Sequence, residues 1–400
     1  MAGVVVIGAG QAGAALVAGL RAGGHAGSLT LVGEEPVPPY QRPPLSKKYL
    51  LGEMTRERLF LRPESYYAEA GIALRTGRRV TGIDRAAQEV VIGATRLGYE
   101  TLVLATGAVP RRLPAAIGGN LGGVHVVRTL ADVDAMAPGF VSGARVLIVG
   151  GGYIGLEAAA VAASRGMAVV MIEAADRILK RVAARETSDY FRALHARHGV
   201  DIREGVGLER LLGEDRVRGA RLSDGSEVVA DLVIVGIGIV PDTALAEAAG
   251  LAIENGIAVD AQGRTSDPAI WAAGDCASFP YRGGRLRLES VPNAIDMAEC
   301  VAGNIMGRAV PYEPRPWFWS DQYDVKLQIA GLNAGFERVV TRAAGGAFSV
   351  WYYAGAALRA VDAMNDPRAY MVGKRLIAAG RSADPALVAD PDVDLKVLLG

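Results

Sequence analysis

The hydrophobic pattern of this chain contains the same three-part arrangement twice. An apolar run, a glycine-rich turn and a stretch rich in Ala and Leu follow one another at Val4 to Leu20 and again at Val146 to Ala163. Each stretch leads into a second apolar run, Leu29 to Val32 and Val169 to Ile172. A strand, a crossover helix and a parallel strand are the parts of a βαβ unit. The sequence therefore predicts two nucleotide-binding units.

The segments between and after these units predict further strands. Residues Arg78 to Ile92 alternate in polarity as antiparallel strands do, and Thr101 to Leu104 is a short buried strand. Two later runs, Leu232 to Val240 and Ile270 to Ala272, end in glycine-containing loops as that strand does. The chain is therefore expected to return to its first domain. From Pro311 onward, aromatic residues cluster in alternating strands before a final helix, which indicates a third, smaller domain.

Composition narrows the class of protein. The chain has 400 residues, of which 51 are glycine, so two or three tightly packed α/β domains are expected. Lys plus Arg and Asp plus Glu number 43 each, and no nucleic-acid partner is expected from that balance. The longest apolar run is about half of what a bilayer requires. Membrane association is not expected, and the glycine motif at Gly8 leaves no room for a secretory signal before it.

Two cysteines, Cys276 and Cys300, have no spacing of a redox pair. They cannot form a disulfide framework. Both are interpreted as reduced thiols, which places the protein in the cytoplasm.

The glycine-rich turns carry the chemistry of dinucleotide binding. In the segment Gly8 to Gly13, the glycines allow a tight turn, a close backbone approach to a pyrophosphate and close packing of helix on strand. The free N–H groups at the helix start are suited to phosphates. A glycine-rich turn without a ligand is the alternative, but the flanking strand and helix favour dinucleotide binding. Gly150, Gly152 and Gly155 repeat the pattern.

An acidic residue is expected after the second strand of each unit, where it binds the adenosine ribose. In the first unit the candidates are Glu34 and Glu35, with Glu34 preferred. In the second unit Glu173 has the expected spacing, and because its charge repels a 2′-phosphate, NADH is preferred over NADPH. Arg177 and Arg181 nearby weaken that inference, although a solvated helix face is the favoured interpretation of both.

Longer motifs make the chain similar to a known family over nearly its whole length. It resembles the FAD-dependent ferredoxin reductases of the putidaredoxin reductase type, relatives of rubredoxin reductase and apoptosis-inducing factor. The motifs are Gly8 to Gly13, Pro39-Tyr40-Gln41-Arg42-Pro43-Pro44-Leu45-Ser46-Lys47, Ala105-Thr106-Gly107, Gly150 to Glu157, Ala273-Gly274-Asp275-Cys276, Glu289-Ser290-Val291-Pro292-Asn293-Ala294 and Pro316-Trp317-Phe318-Trp319-Ser320-Asp321-Gln322.

The resemblance implies a glutathione-reductase-like α/β fold with two Rossmann-type dinucleotide-binding domains and an α+β C-terminal domain. The predicted boundaries are residues 1–110 and 237–313 for a discontinuous FAD-binding domain, 111–236 for an NAD-binding domain and 314–400 for a C-terminal interface domain.

For the FAD site, the resemblance implies Arg42 near the pyrophosphate and Lys47 near the isoalloxazine, where a cation favours reduced flavin. A proline-stiffened surface loop is the alternative for that segment. Asp275 is expected to bind the ribityl chain, and a helix N-cap role is compatible with this. Ser290 followed by Pro292 predicts a helix start that faces flavin N1 and C2=O. The predicted FAD residues are Gly8, Gly10, Gln11, Ala12, Gly13, Glu34, Glu35, Arg42, Lys47, Val80, Ala105, Thr106, Gly107, Gly274, Asp275, Val291, Pro292 and Ala294.

For the NAD(H) site, the resemblance implies that hydride passes from nicotinamide C4 to flavin N5, with Glu157 reaching toward the nicotinamide. Lys47 and Glu157 are the predicted catalytic residues. Such a transfer depends on positioning more than on acid and base groups, so the histidines are interpreted as structural, and no metal site is predicted. The predicted NAD residues are Gly150, Gly152, Tyr153, Ile154, Gly155, Glu157, Glu173, Gly236 and Gly238.

Electrons are expected to leave the flavin directly. Relatives that reduce peroxide or oxygen carry a cysteine just after a Leu-Ser pair, whereas Lys47 follows Leu45-Ser46 here. Trp319 resembles a residue between the flavin edge and a docked ferredoxin, with core packing as an equally favoured alternative. Arg285 and Arg287, with Arg282, form a basic loop suited to steering an acidic ferredoxin, and a solvated loop is at least as favoured.

The predicted function is NADH-dependent reduction of a 2Fe–2S ferredoxin that serves a cytochrome P450 or an oxygenase. One alternative acceptor is rubredoxin, a quinone or a dye. The other alternative is an NADH-sensing interaction protein like apoptosis-inducing factor, a class that usually adds targeting segments and basic nucleic-acid surfaces.

Overall fold

The computed structural model describes residues 3–399, which divide into two compact units. The first unit contains the chain up to Arg42, Thr55–Val109 and Ile239–Pro316. The second contains Pro43–Met54, Pro110–Gly238 and the chain from Trp317 onward. The two glycine motifs therefore lie in different units. The separation of an NAD-binding domain from a C-terminal domain within the second unit stays a prediction.

The strands and helices of residues 3–399 are numbered in chain order. The strands are β1 (Gly3–Ile7), β2 (Leu29–Val32), β3 (Ile72–Arg75), β4 (Gly82–Asp84), β5 (Glu89–Ile92), β6 (Thr95–Leu104), β7 (Ala108–Pro110), β8 (Val124–His125), β9 (Arg145–Val149), β10 (Ala168–Glu173), β11 (Asp201–Glu204), β12 (Leu208–Gly213), β13 (Val217–Leu222), β14 (Glu227–Val229), β15 (Leu232–Val235), β16 (Ile239–Pro241), β17 (Ile257–Ala258), β18 (Ile270–Ala272), β19 (Ala277–Tyr281), β20 (Gly284–Leu286), β21 (Trp317–Gln322), β22 (Val325–Gly331), β23 (Arg338–Ala344), β24 (Ala347–Ala354) and β25 (Ala357–Met364). The helices are α1 (Gln11–Ala22), α2 (Arg56–Leu59), α3 (Glu64–Glu69), α4 (Leu130–Met136), α5 (Tyr153–Ser164), α6 (Arg185–Arg197), α7 (Ala244–Ala248), α8 (Val291–Ile305), α9 (Pro367–Ala378) and α10 (Pro385–Ala389).

The first unit is built on a sheet with the strand order β3-β2-β1-β6-β5-β4, in which β18 also pairs with β6. Strands β3, β2, β1, β6 and β18 run parallel, whereas β5 runs antiparallel to the first half of β6 and β4 runs antiparallel to β5. Helices α1 and α8 pack against each other, with Gly19 facing Ala302. The return of the chain at β18 confirms the expectation that a later segment completes the first sheet.

The second unit contains a parallel sheet, β11-β10-β9-β15-β8, and an antiparallel sheet, β21-β22-β25-β24-β23. The antiparallel sheet packs against α9, which confirms the strands and the helix predicted after Pro311, although α10 follows α9 and the predicted helix is not the final one. The apolar run from Leu232 is shorter as a strand than predicted, because β15 ends at Val235 and Gly238 turns the chain with a φ of +99° before β16. In the described part of the chain, no helix is long and apolar enough to cross a membrane.

Candidate active site

The first glycine turn, between β1 and α1, has the backbone geometry that a dinucleotide pyrophosphate requires. Gly8 has a φ of +111°, and a Cβ there would lie 2.1 Å from the carbonyl oxygen of Ala105. A Cβ on Gly13 would lie 2.0 Å from the carbonyl oxygen of Gly8. At Gly10, by contrast, a Cβ would meet nothing within 4 Å, and no side chain caps α1. The turn therefore leaves open space at an uncapped helix start, which fits a phosphate group.

Several predicted FAD residues gather around this turn. A Cβ built on Gly274 would lie 2.9 Å from the Cβ of Ala12 and 3.9 Å from that of Ala294. Helix α8 begins at Val291, Pro292 occupies its first turn, and Ser290 caps it by accepting a hydrogen bond from Asn293 N at 3.2 Å. These contacts confirm the helix start predicted from Ser290 and Pro292. They also place the start of α8 beside the Gly274 loop and the first turn of α1.

The N-cap role considered for Asp275 is wrong. This residue lies in the turn between β18 and β19, and α8 starts well beyond it. The carbonyl oxygen of Asp275 accepts a hydrogen bond from Arg287 Nη1 at 3.1 Å, while its role toward a ribityl chain stays a prediction.

The two candidate ribose acids have different surroundings. Glu35 accepts hydrogen bonds from the Tyr40 hydroxyl at 2.6 Å and from Arg42 Nη2 at 2.8 Å. Glu34 is 65% exposed and pairs with Arg79 at 3.0 Å. Arg42 is thus held by a carboxylate of its own unit.

The loop after β6 contains three further predicted FAD residues, Ala105, Thr106 and Gly107, and Val80 lies in the loop between β3 and β4. Ala105 donates its N–H to the carbonyl oxygen of Ile7, which ties the end of β6 to β1. Thr106 donates from Oγ1 to the carbonyl oxygen of Asp242 at 2.6 Å, and Gly107 has a φ of +74°. Val80 is buried in the same core.

The second glycine turn repeats the first. Gly150 has a φ of +108°, and a Cβ there would lie 2.4 Å from the carbonyl oxygen of Gly236. A Cβ on Gly155 would lie 2.2 Å from the carbonyl oxygen of Gly150, whereas Gly152 has nothing within 4 Å. No side chain caps α5. The second unit therefore offers the same open helix start as the first, and this turn also fits a pyrophosphate.

Glu173, at the end of β10, is anchored by backbone amides. Its Oε2 accepts from Gly151 N and its Oε1 from Ala175 N, both at 2.8 Å. Arg177 is occupied by its own segment, since it donates to Ser188 Oγ at 2.6 Å and to the carbonyl oxygen of Ala183 at 2.9 Å. Arg181 is exposed, and one of its guanidinium nitrogens lies 3.7 Å from a Cβ built on Gly238. Arg177 is therefore not available to neutralise a 2′-phosphate.

A buried ion pair joins the two predicted catalytic residues. Lys47 Nζ lies 2.8 Å from Glu157 Oε2, and Glu157 is 3% exposed. The same oxygen accepts from Ser46 Oγ at 2.7 Å, and Oε1 accepts from Ser320 Oγ at 2.8 Å. Three donors around one buried carboxylate fix its orientation. The second unit thus contributes both predicted catalytic side chains.

Aromatic residues of β21 contact the start of α5. The ring of Tyr153 packs against Phe318 with 5.0 Å between centroids, and burial raises the pKa of its hydroxyl. Ile154 is 45% exposed. Trp319 stacks on Trp317 with 5.5 Å between centroids and is partly exposed. Its accessibility is compatible with a contact to a partner, which stays a prediction.

The predicted docking arginines already have partners in the first unit. Arg285 donates to the carbonyl oxygens of Val259, at 2.8 Å, and of Ser278. Arg287 pairs with Glu289 at 2.6 Å and is 11% exposed. The segment is a hairpin, β19–β20, instead of a solvated loop. The role of Arg285 and Arg287 in docking therefore stays a prediction.

Sequence reasoning missed Ser46 and Ser320 as ligands of the Glu157 carboxylate. Both lie inside the motifs on which the resemblance was based, directly beside assigned residues. His195, interpreted as structural, is fully buried and hydrogen-bonded to Gln322 at 2.8 Å. No local pattern around His195 indicated this contact.

Comparison with known proteins identifies the family. Residues 2–298 match the family model described as pyridine nucleotide-disulphide oxidoreductase, and residues 317–399 match the one described as reductase C-terminal. Rhodocoxin reductase of Rhodococcus erythropolis is 43% identical over 99% of this chain and 94% of that protein. The chain belongs to the FAD-dependent ferredoxin reductases of the pyridine nucleotide-disulphide oxidoreductase family.

Solved structures agree with this assignment. The covalent complex of putidaredoxin reductase with putidaredoxin contains a chain that matches this reductase with a TM-score of 0.96 and 40% identity, covering 100% of this chain and 98% of that one. The ferredoxin reductase for the CYP199A2 system from Rhodopseudomonas palustris matches with a TM-score of 0.96 and 39% identity, covering 100% of both chains. The reductase has the glutathione-reductase-like fold of two Rossmann-type domains and a C-terminal domain, and its cofactors are FAD and NAD(H).

Proposed function

We propose that this protein is an NADH-dependent ferredoxin reductase that serves a cytochrome P450 or another oxygenase. When bound, FAD accepts a hydride from NADH and passes two electrons, one at a time, to 2Fe–2S ferredoxins. The observation that carries the proposal is the pair of matching glycine turns, one in each unit, each with open space at an uncapped helix start. The full-length similarity to reductases of ferredoxins supports the choice of acceptor.

The first unit supplies the residues for the pyrophosphate and the adenosine of FAD. The turn at Gly8 to Gly13 is suited to the pyrophosphate, and the Gly274 loop with the start of α8 lies beside it. The N–H groups of that start carry the positive end of the helix dipole, which stabilises negative charge on a neighbouring group. We assign Arg42 to the FAD pyrophosphate and one of Glu34 and Glu35 to the adenosine ribose.

The second unit supplies the residues for NADH. It also supplies the Lys47–Glu157 ion pair, which is expected at the reacting rings. The turn around Gly152 is suited to the second pyrophosphate, and Glu173 to the adenosine ribose. Each oxygen of the Glu173 carboxylate already accepts one backbone N–H and retains a second lone pair for a hydroxyl. A 2′-phosphate would meet this charge without help from Arg177, so NADH is favoured over NADPH.

Electron exit by a thiol is disfavoured by the position of Cys276. This cysteine is fully buried in the core of the first unit, and its Sγ lies 3.5 Å from each of the carbonyl oxygens of Leu104 and Ala273, its two possible acceptors. Burial raises the pKa of its thiol, which makes it a poor nucleophile. We therefore propose direct transfer of single electrons to the ferredoxin, with Trp319 at the exit and Arg285 and Arg287 as steering charges.

The decisive experiment is stopped-flow spectroscopy under anaerobic conditions. The flavin is first reduced with one equivalent of NADH and then mixed with 2Fe–2S ferredoxins, rubredoxin, a quinone or dichlorophenolindophenol in parallel. Rapid reoxidation by a 2Fe–2S protein, faster than by rubredoxin or the quinone, is the expected result. A long-lived complex of NADH with reduced flavin that none of these acceptors reoxidises would instead indicate an NADH sensor and contradict the proposal.

Two further features belong to the proposal. We place the FAD-binding domain at residues 1–110 and 237–313, the NAD-binding domain at 111–236 and an interface domain at 314–400. Limited proteolysis with mass spectrometry tests these boundaries. We also propose a cytoplasmic location, which the unpaired state of Cys276 and Cys300 supports.

A further inference from the structure

A chain of hydrogen bonds extends from the Glu157 carboxylate to the far end of α6. Glu157 Oε1 lies 2.8 Å from Ser320 Oγ, and Ser320 Oγ lies 3.2 Å from Gln322 Nε2. Gln322 Oε1 lies 2.8 Å from His195 Nε2, and His195 Nδ1 lies 3.2 Å from the hydroxyl of Tyr323. All of these residues belong to the second unit. The hydrogen bonds thus link a predicted catalytic carboxylate to His195 and Tyr323, which are not among the predicted site residues.

The direction of every hydrogen bond in this series follows from the Glu157 carboxylate, which is the acceptor at one end. The Glu157 carboxylate can only accept, so Ser320 must donate its hydroxyl hydrogen to it. Ser320 Oγ then accepts from the amide N–H of Gln322, which turns the amide oxygen toward His195. An amide oxygen requires a donor, so His195 carries its proton on Nε2 and accepts at Nδ1 from Tyr323. All donors point toward Glu157.

Burial makes this direction costly to change. Ser320, Gln322 and His195 are each 0% exposed, so no solvent replaces a lost partner. Hydrogen bonds in such surroundings are stronger than in water, and an unmade bond leaves a buried polar group unsatisfied. Burial also lowers the pKa of His195 to about 4, which keeps its ring neutral at pH 7.

The fold explains how the hydrogen bonds extend from Glu157 on α5 to His195 on α6. Side chains alternate between the two faces of a strand, so Ser320 and Gln322 of β21 share one face. Phe318, on the same face, packs against Tyr153 at the start of α5. Ser320 contacts Glu157 on α5, and Gln322 contacts His195 on α6. A single strand face therefore connects both helices to the ion pair.

We propose that Gln322 and His195 are positioning residues, which act through Ser320 to hold the Glu157 carboxylate in the orientation that pairs it with Lys47. This inference rests on the proposed function only in assigning Lys47 and Glu157 to the reacting rings. The direction of the hydrogen bonds involves only residues of the protein itself and no cofactor. It can therefore be tested apart from catalysis.

The first test determines the direction of the hydrogen bonds from the tautomer of His195, by NMR of the holoenzyme. The protein contains four histidines, so ¹⁵N-labelled histidine gives few signals to assign by substitution. His195 is expected as the neutral Nε2–H tautomer at pH 7, and Glu157→Gln is expected to shift its ring nitrogens. An Nδ1–H tautomer, or ring signals unchanged in Glu157→Gln, would overturn the proposal whatever the enzyme reduces.

The second test removes the donor at position 322 and so reverses the direction of hydrogen bonding there. Gln322→Glu has nearly the same shape, but a carboxylate cannot donate to Ser320 and instead competes with Glu157 for its hydroxyl hydrogen. The limiting rate of flavin reduction by NADH is expected to fall about tenfold, while the dissociation constant for NADH changes less than about twofold. A limiting rate equal to that of wild type, in a variant that keeps its FAD, would overturn the proposal.

Substitutions of His195 supply the rescue and the control. His195→Phe removes the donor and is expected to slow flavin reduction about threefold to tenfold, whereas His195→Gln places an amide N–H near the Nε2 position and is expected to restore most of the rate. His198→Gln is the matched control, because His198 stacks on Tyr323 with 3.7 Å between centroids but lies outside the chain of donors. Equal rates for His195→Phe and His195→Gln would overturn the donor role.

Discussion

The buried carboxyl of Asp362 predicts an unusual dependence of stability on pH. Asp362 Oδ2 accepts from Thr187 Oγ1 at 2.8 Å and from the hydroxyl of Tyr352, while Oδ1 is buried without a partner. Burial raises the pKa of this carboxyl from 3.8 to about 6. Because the folded-state pKa lies above the unfolded value, the folded protein binds more protons between pH 4 and pH 6. Protonated Asp362 therefore stabilises the folded protein at low pH. This stabilisation is complete below the unfolded pKa and is lost as the pH rises through about 6.

The size of the effect follows from the shift. A change of about two pKa units corresponds to about 3 kcal/mol of unfolding free energy. For 400 residues unfolding together, the unfolding entropy is about 0.8 kcal/mol/K, so this free energy corresponds to about 4 °C in Tm. Asp362→Asn keeps an oxygen for Thr187 and Tyr352 but carries no charge. The variant is expected to exceed the wild-type Tm by about 4 °C at pH 7.5, and this advantage should fall to about 1 °C at pH 4.5.

The assay is differential scanning fluorimetry of both proteins from pH 4.5 to pH 8, with saturating FAD. All other titrating groups are shared, so the difference in Tm isolates Asp362. Asp392→Asn, at an exposed carboxyl of the same unit, is the matched control and should follow the wild-type curve. Parallel Tm curves for wild type and Asp362→Asn would refute the reasoning.

Three further predictions concern the active site. Glu173→Gln removes the charge that opposes a 2′-phosphate but keeps an amide oxygen for one backbone N–H, so the ratio of kcat/KM for NADPH to that for NADH should rise about tenfold; an unchanged ratio would remove Glu173 from cofactor selection. Lys47→Ala leaves Glu157 buried without its cation, so reduction by NADH should slow at least about tenfold or the flavin potential should fall, and wild-type values of both would exclude the role. Trp319→Leu should slow reoxidation by ferredoxin about tenfold while flavin reduction by NADH stays within about twofold, whereas equal slowing of both half-reactions would indicate packing alone.

The two dinucleotide turns could be predicted because their requirements are local. A positive φ at Gly8, open space at Gly10 and a close helix approach at Gly13 concern residues within one short segment, and glycine is the residue that permits all three. The start of α8 was likewise written in Ser290 and Pro292, which act within a single turn. Such features are visible in sequence order.

The polar surroundings of Glu157 could not be predicted in this way. Ser46 and Ser320 contact it across 111 and 163 positions of the chain, and His195 meets Gln322 across 127. Nothing in the spacing of these residues encodes the contacts, because they arise where β21 packs on α5 and α6 and where the segment Pro43–Ser46 packs on α5. Arg285 and Arg287 illustrate the opposite error: a run of arginines resembled a solvated loop, but a hairpin brings backbone carbonyls and a carboxylate to their guanidinium groups.

The buried hydrogen bonds around Glu157 are better explained by the orientation they give this carboxylate than by a contribution to the stability of the fold. Removing Lys47 and Glu157 from water costs several kcal/mol per ion, and well-packed apolar side chains of the same volume often stabilise a fold equally well. Glu157 nevertheless receives three donors, and Ser320 is held in turn by Gln322 and His195. A hydride transfer between two bound rings gains its rate from alignment, and a misplacement of about 1 Å can cost a factor of about 100. A set of bonds that all point toward one carboxylate supplies that alignment, because no member can rotate without leaving a buried donor or acceptor unpaired.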